Sequence, residues 1–499
     1  LAAGGLVPAH THHAGAGANG REIAIRRMNA PKSDLRAYAL DALRGLAILT
    51  MVLSGRVPFG VLPGWMYHAQ EPPPLHAPVS TPGITWVDLV FPFFLFAMGV
   101  AFPFALSRKL AQGVPGWRLG WQSLVRGLLL AGFAIFIQHI NPWTLSRQPG
   151  PREWAVALLG FGLLFPVLLR LPARWPLPAR VAVRAAGVAA AVGLLAALHY
   201  PDGSGFRLER SNIILLVLAN LAFFGSGIWL LTRTNPLLRL GVASLVLALC
   251  LTNQVPGSWN EWLWKASPAP WLYQFRFLKY LLIVLPGTVV GDRLLAWSRE
   301  LATAPPAAPM RRVPLGLAAV LLLVLVVGTT AGLYARALLP TLAFDAVGCL
   351  VAWLLLRPAP DATQRLYLEL VGWGSYWLAL GWCFEALEGG IKKDPSTVSY
   401  YFLTTGLALF AYVALSVVID YFGQQRRFQL LIRTGQNPML AYITANNFIS
   451  PVLGLVLLGP LLDAWASTPA LGILKAVFIT LLVGLVVSFF TVRRVFWRT

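Results

Sequence analysis

Charge is what this chain has least of. Of its 499 residues only 12% are Asp, Glu, Lys or Arg, about half the share of a soluble domain at about 25%. A string of soluble domains is thereby excluded. Acidic side chains are the scarcer sign, 19 against 40 Lys and Arg. Cysteine is also scarce: Cys250, Cys349 and Cys383 sit inside apolar runs with no CxxC or CxxxC spacing, which argues against a disulfide framework and against a metal site. Several catalytic signatures are missing as well. There is no GxxxxGK[ST], no GxSxG, no HExxH and no clear GxGxxG after a strand, which removes the common routes to nucleotide, serine-hydrolase and zinc-protease chemistry. No internal repeat of clear period is visible.

What is present is apolar length. The chain is 57% hydrophobic with 19 tryptophans, and its mean hydropathy is +0.67. Apolar runs of ~18 to 22 residues recur, and ~20 residues at 1.5 Å rise cross the hydrocarbon core of a bilayer. They predict an all-α polytopic transmembrane bundle of about 14 spans, with 12 as the lower bound. The runs lie at 39–55, 84–106, 120–141, 153–171, 181–199, 212–232, 238–254, 274–296, 313–335, 340–356, 368–386, 400–420, 437–459 and 470–491. Residues 1–37, rich in Gly, Ala, His and Arg, read as a disordered or cloning-derived tail, with Met28 as the natural start. Residues 38–492 read as the membrane domain, with a motif-bearing core at 38–141, and 493–499 as a basic cytoplasmic tail.

A net charge of +21 raises the question of nucleic acid, yet the basic residues form no block. They lie in short loops: Arg108, Lys109 and Arg118; Arg170, Arg174, Arg180 and Arg184; Arg233 and Arg239; Arg293, Arg299, Arg311 and Arg312; Arg426, Arg427 and Arg433; Arg493, Arg494 and Arg498. The positive-inside rule puts all of these loops, and both termini, in the cytoplasm. The partner implied is a lipid bilayer and not nucleic acid. That orientation leaves three long Pro- and Trp-bearing loops outside, 56–83, 255–273 and 387–399, and long loops among tight connections are usually functional or disordered.

Ionisable groups within or beside spans are costly in lipid and therefore informative. In "DALRGLAIL" Asp41 and Arg44 share a helix face at the cytoplasmic end of the first span; they are either an ion pair that pins the helix or a reception point for an anionic ligand. His76, in "PPPLH", precedes the second span, whose first turn carries Asp88. A loop histidine is most often a surface residue, but the prolines fix its backbone, and an unperturbed pKa of ~6.5 suits proton transfer. His68, in "WMYH", has nothing beyond position to recommend it. Arg126, His139, Lys279, Asp292, Asp345, Glu385 and Asp420 should face the bundle interior or a wet cavity, and pairing is the bland explanation for most of them. "KKDPS" and "GQNPMLAYITANNF" add Lys392, Lys393, Asn437, Asn446 and Asn447. Asn437 before a proline has helix capping as its default task, whereas Asn446 and Asn447, deeper in a span, need partners.

"LDALRGLAI" (40–48), "PPPLH" (72–76) and "GITWVDLVFPFFLFAMG" (83–99) together resemble the heparan-α-glucosaminide N-acetyltransferase family of transmembrane acyltransferases. The closer likeness is to its bacterial NagX-like, DUF5009-type branch. "LPGTVVGD" (285–292), "KKDPSTVSYYF" (392–402) and "GQNPMLAY" (435–442) follow in the same order. The resemblance implies transfer of acetyl from cytoplasmic acetyl-CoA to the amine of a glucosamine or amino-sugar glycan across a bacterial inner membrane, and a homodimer suits it. It assigns His76 as the general base and Asp88 as its neighbour. Asp41, Arg44 and Arg126 would face acetyl-CoA, and Lys393, Asn437, Asn446 and Asn447 the acceptor. Two departures stand out: Ser54 and Gly55 occupy the place of an asparagine late in the first span, and the spacing after the histidine is longer. An amino-sugar or N-acetylglucosamine permease and an O-acetyltransferase of an envelope glycan are the alternatives.

Overall fold

In lipid no water satisfies a backbone amide, so an apolar run there closes its hydrogen bonds internally as a helix. The computed structural model describes residues 37–73, 81–172, 174–303, 312–357, 359 and 361–497. Their secondary structure is helical apart from isolated bridges. The principal helices are α1 (Tyr38–Ser54), α2 (Trp86–Ala111), α3 (Gly116–His139), α4 (Pro151–Leu168), α5 (Leu177–Ala197), α6 (Ile213–Thr232), α7 (Pro236–Thr252) and α8 (Leu281–Thr303). They continue as α9 (Arg312–Tyr334), α10 (Leu338–Leu355), α11 (Ala362–Cys383), α12 (Val398–Ser416), α13 (Gln429–Gln436), α14 (Pro438–Thr444), α15 (Ser450–Leu455), α16 (Leu458–Trp465) and α17 (Pro469–Val492).

Among the described residues 10 helices are long and apolar enough to cross a membrane, or 11 when the bent pair Pro438–Leu455 and Leu458–Trp465 is taken as one span. The sequence pattern also marks α1 and α7, which are 17 residues each, and α11, where Glu369, glycines and aromatics dilute the apolar content. The run at 437–459, expected as one straight helix, is broken. A π-helical turn occupies Ala445–Ile449, Leu457 adopts a left-handed φ of 59°, and the chain bends by 95° there.

α12 is the hub, with every residue from Val398 to Ser416 buried; α1, α2, α8, α9 and α11 pack around it. Two of the motifs prove to be packing devices. A Cβ at Gly99 of α2 would run into the Val284 carbonyl oxygen of α8, and Cβ atoms at Gly287 and Gly291 would run into the Phe96 and Val100 carbonyls of α2. "LPGTVVGD" thus lets two backbones touch, the small-residue packing that holds helices together in lipid. Likewise, Gly45 of α1 sits against the Leu431 carbonyl, and Gly435 of α13 against the Asp41 carbonyl.

Candidate functional site

Tight packing of α1 against α2 fixes where the ends of these helices fall. They run antiparallel: Arg44, in the second turn of α1, donates from Nη2 to the Ala97 carbonyl at 3.0 Å, and Ala97 lies about two and a half turns along α2 from Asp88. Asp41 and Asp88 therefore mark opposite ends of the bundle.

At the Asp88 end, local chemistry sets the aspartate first. Thr85 precedes α2 in extended conformation, and its N–H donates to Asp88 Oδ2 at 2.9 Å, which is half of a capping box. The Thr85 hydroxyl instead donates to the Tyr67 carbonyl at 2.6 Å, pulling the loop before α2 onto the helix start. The Ala69 N–H then reaches Asp88 Oδ2 at 3.2 Å. With Oδ2 occupied by backbone donors, Oδ1 meets His68 Nδ1 at 2.6 Å. The carboxylate is wholly buried while the imidazole keeps 32% of its surface exposed. An ionised carboxylate only accepts hydrogen bonds, so Nδ1 carries the proton and Nε2 is left as the basic nitrogen.

Gln70 and Lys393 complete the cluster. The fully buried Gln70 donates from Nε2 to the Thr81 and Gly83 carbonyls at 2.9 Å each, and its Oε1 accepts the N–H groups of Lys393 and Asp394 at 3.1 and 3.3 Å. One amide thereby staples the 56–83 loop to the 387–399 loop. A backbone bond from Gly83 to the Ile391 carbonyl at 2.8 Å adds to it. Lys393 Nζ lies 3.0 Å from His68 Nδ1 and 3.2 Å from Nε2. In-plane approach to both would drive it into Cε1, so the ammonium sits over the ring face. Tyr400, at the start of α12, donates to the Asp88 carbonyl at 2.6 Å, which anchors the whole group to the hub.

The other end carries a second polar group. Arg44 Nη1 lies 3.5 Å from Asp41 Oδ1, and Gln436 of α13 donates to Asp41 Oδ2 at 3.2 Å. Asp420 accepts the Ala39 N–H at 3.3 Å. The ion-pair reading of Asp41 and Arg44 is therefore realised, although Asp41 also draws in a third helix.

The remaining candidates are dispersed. His76 lies outside the described residues. Asp88 and Lys393 meet, through His68. Asn446 accepts from Arg56 Nη2, and Asn447 donates to the Ile140 carbonyl at 3.4 Å. Asn437 does not cap its helix; its amide donates to the Val495 carbonyl at 2.8 Å and accepts from the Trp497 N–H at 3.3 Å, so it holds the C-terminal segment. Arg126 is exposed on α3. Pairing accounts for others, as expected: Asp292 binds Arg239 at 2.6 Å, Glu385 binds Arg336 at 3.2 Å, and Asp345 accepts from Thr329 and Trp382. Sequence reasoning passed over His68 and Gln70. The run "WMYHAQ" carries both, and only the return of the chain onto Thr85 shows their use.

An all-helical bundle with this many apolar helices of membrane-crossing length is a multi-pass membrane protein. Residues 36–294, which carry α1, α2 and the His68–Asp88 pair, match DUF5009, a domain of unknown function, and the chain belongs to that family. It is also similar to heparan-alpha-glucosaminide N-acetyltransferase of Homo sapiens, with 31% identity over 121 residues. That similarity spans 23% of this chain and 16% of the human protein.

Proposed function

We propose that the protein is a transmembrane acetyltransferase that moves acetyl from acetyl-CoA on the cytoplasmic side to the amine of an amino sugar on the opposite side. The observation that carries this reading is the His68–Asp88 pair, in which a partly exposed imidazole is held by a buried carboxylate at 2.6 Å. The similarity to a glucosaminide acetyltransferase supplies the reaction class.

Acetyl-CoA brings an acyl group already activated as a thioester. The chain's own residues supply the rest. His68 Nε2 takes the proton from the acceptor amine as its nitrogen bonds to the acetyl carbon. Asp88 holds the ring in the tautomer that permits this and steadies the imidazolium that results. Lys393, beside the ring, would meet the oxygen on which negative charge develops; as the thioester C–S bond breaks, the proton held by His68 leaves with the CoA thiolate. Arg44, engaged with Asp41 and the Ala97 carbonyl, is the cation at the other end that would meet a CoA phosphate; Arg126 would add to it from α3. Asn446 and Asn447 would border the acceptor, whereas Asn437, beside Gln436 at the Asp41 end, holds the C-terminal segment. The resemblance gives the role of base to His76, and the two histidines are separated by substitution.

The test is acetyl transfer from acetyl-CoA to glucosamine by purified protein in lipid nanodiscs. Transfer that is lost in His68→Gln supports the reading. Transport of N-acetylglucosamine without any acetyl-CoA binding would replace it with the permease, and a product acetylated on oxygen would replace it with the O-acetyltransferase.

A further inference from the structure

Arg56 follows the C-terminal turn of α1, at the same end of the bundle as Asp88, and its surroundings are unusual for a cation. It donates through Nη2 to Asn446 Oδ1, and its guanidinium lies over the Trp143 ring at 5.6 Å from the centroid. Both partners are neutral. No ion pair within the described residues includes Arg56, and Asp463, the carboxylate whose field it feels, is taken by Lys475. Nε and Nη1 have no acceptor among the described residues and are not sealed from solvent. Asn446 stands in the π-helical turn Ala445–Ile449, an irregularity that turns side chains off the regular helix face and recurs at functional sites. An arginine that only snorkels to a membrane surface needs no such grip from two other elements.

Arg56 and His68 also belong to one loop. Tyr67, next to His68, donates from its hydroxyl to the Pro58 carbonyl at 2.6 Å and accepts the Leu62 N–H at 3.1 Å, closing residues 58–67 into a ring that Arg56 precedes by two residues and His68 follows. A half-buried guanidinium held through Nη2, with Nε and Nη1 unengaged among the described residues, presents a planar fork suited to a carboxylate or a phosphate. We infer that Arg56, set by Asn446 and Trp143, is an oxyanion subsite that selects acceptors carrying a carboxylate or phosphate beside the amino sugar. This rests on the transferase reading and adds to it the charge of the acceptor.

The test uses the full chain in nanodiscs of neutral lipid, with acetyl-CoA and three acceptors: glucosamine, a glucosaminyl–uronic acid disaccharide and a phosphorylated glucosamine. One of the two anionic acceptors is expected to exceed glucosamine in kcat/KM about tenfold or more, through KM, since a hydrogen bond to a charged group contributes on that order. Which of them does so identifies the oxyanion. In Arg56→Gln that ratio falls to about twofold or less. Asn446→Asp does the same with the arginine intact, because the new carboxylate occupies the fork. Equal use of all three acceptors by the unaltered protein, or a preference that survives both variants, overturns the subsite. Should no acceptor be acetylated, the transferase reading fails while the subsite is still decided. Saturable quenching of Trp143 fluorescence by either anionic sugar, lost in Arg56→Gln, supports it, and no quenching overturns it. Quenching by phosphatidylglycerol in mixed nanodiscs but by neither sugar assigns the arginine to the bilayer and overturns the proposal.

Discussion

Two aspartates in this molecule each hold a nitrogen base at 2.6 Å, and they do opposite things with it. Arg239 is wholly buried, and its donors are consumed by Thr232, Thr288 and Asp292, while Trp229 takes the second Asp292 oxygen at 3.1 Å. Four of the five guanidinium N–H groups are engaged and the base itself is sealed inside, so the pair locks α6, α7 and α8 together. His68 has the same closeness to its carboxylate, but the carboxylate is the buried partner and the base is the exposed one. A closed pair makes structure, whereas an open pair fed by a closed carboxylate can carry a proton.

That contrast breaks under substitution in a definite order. In Asp88→Asn the amide oxygen is claimed by the Thr85 and Ala69 N–H groups, so its NH2 donor faces His68 Nδ1 and imposes the other tautomer; transfer is expected to fall by about 10²-fold or more, read as kcat alongside KM and thermal unfolding. A loss in KM alone would make Asp88 a binding residue. Arg239→Met leaves Asp292, whose side chain is a quarter exposed, without its cation and should cost about 1 to 3 kcal/mol of stability, seen in denaturation in detergent, with transfer per folded molecule unchanged. Gly287→Ala pushes a methyl into the Phe96 carbonyl across the α2–α8 crossing and is expected to cost about 1 to 3 kcal/mol. Thr85→Val removes only the hydroxyl that draws Tyr67 onto α2, at about 1 kcal/mol. Its sharper readout is a fall in transfer larger than that stability loss explains, since the loop carrying His68 is released.

Much of the bundle was legible in the sequence because lipid enforces length and apolarity on each span. α2, α6 and α12 needed no tertiary knowledge. The π turn at Ala445–Ile449 and the bend near Leu457 were not legible, because "ANNFISP" keeps the composition of a span. Asn437 was misplaced for a similar reason. Asn before Pro reads locally as a cap, and the tail that its amide holds is 58 residues away. The site was half legible. Asp88 and Lys393 stood out as ionisable groups beside spans, and in the fold different oxygens of the one Asp88 carboxylate cap α2 and hold the His68 ring. His68 did not stand out, because the partners that define it are 20 and 325 residues distant. Gln70 gave no sign at all, since an amide that staples two loops is recognised only once both loops are in place.

The choice between two histidines is the most direct test of the account. His68→Gln and His76→Gln, purified in parallel and matched for folding by thermal unfolding, are compared for acetyl transfer to glucosamine. The account predicts that His68→Gln loses about 10²-fold or more while His76→Gln retains most of its rate. Loss confined to His76→Gln, with His68→Gln active, would contradict it.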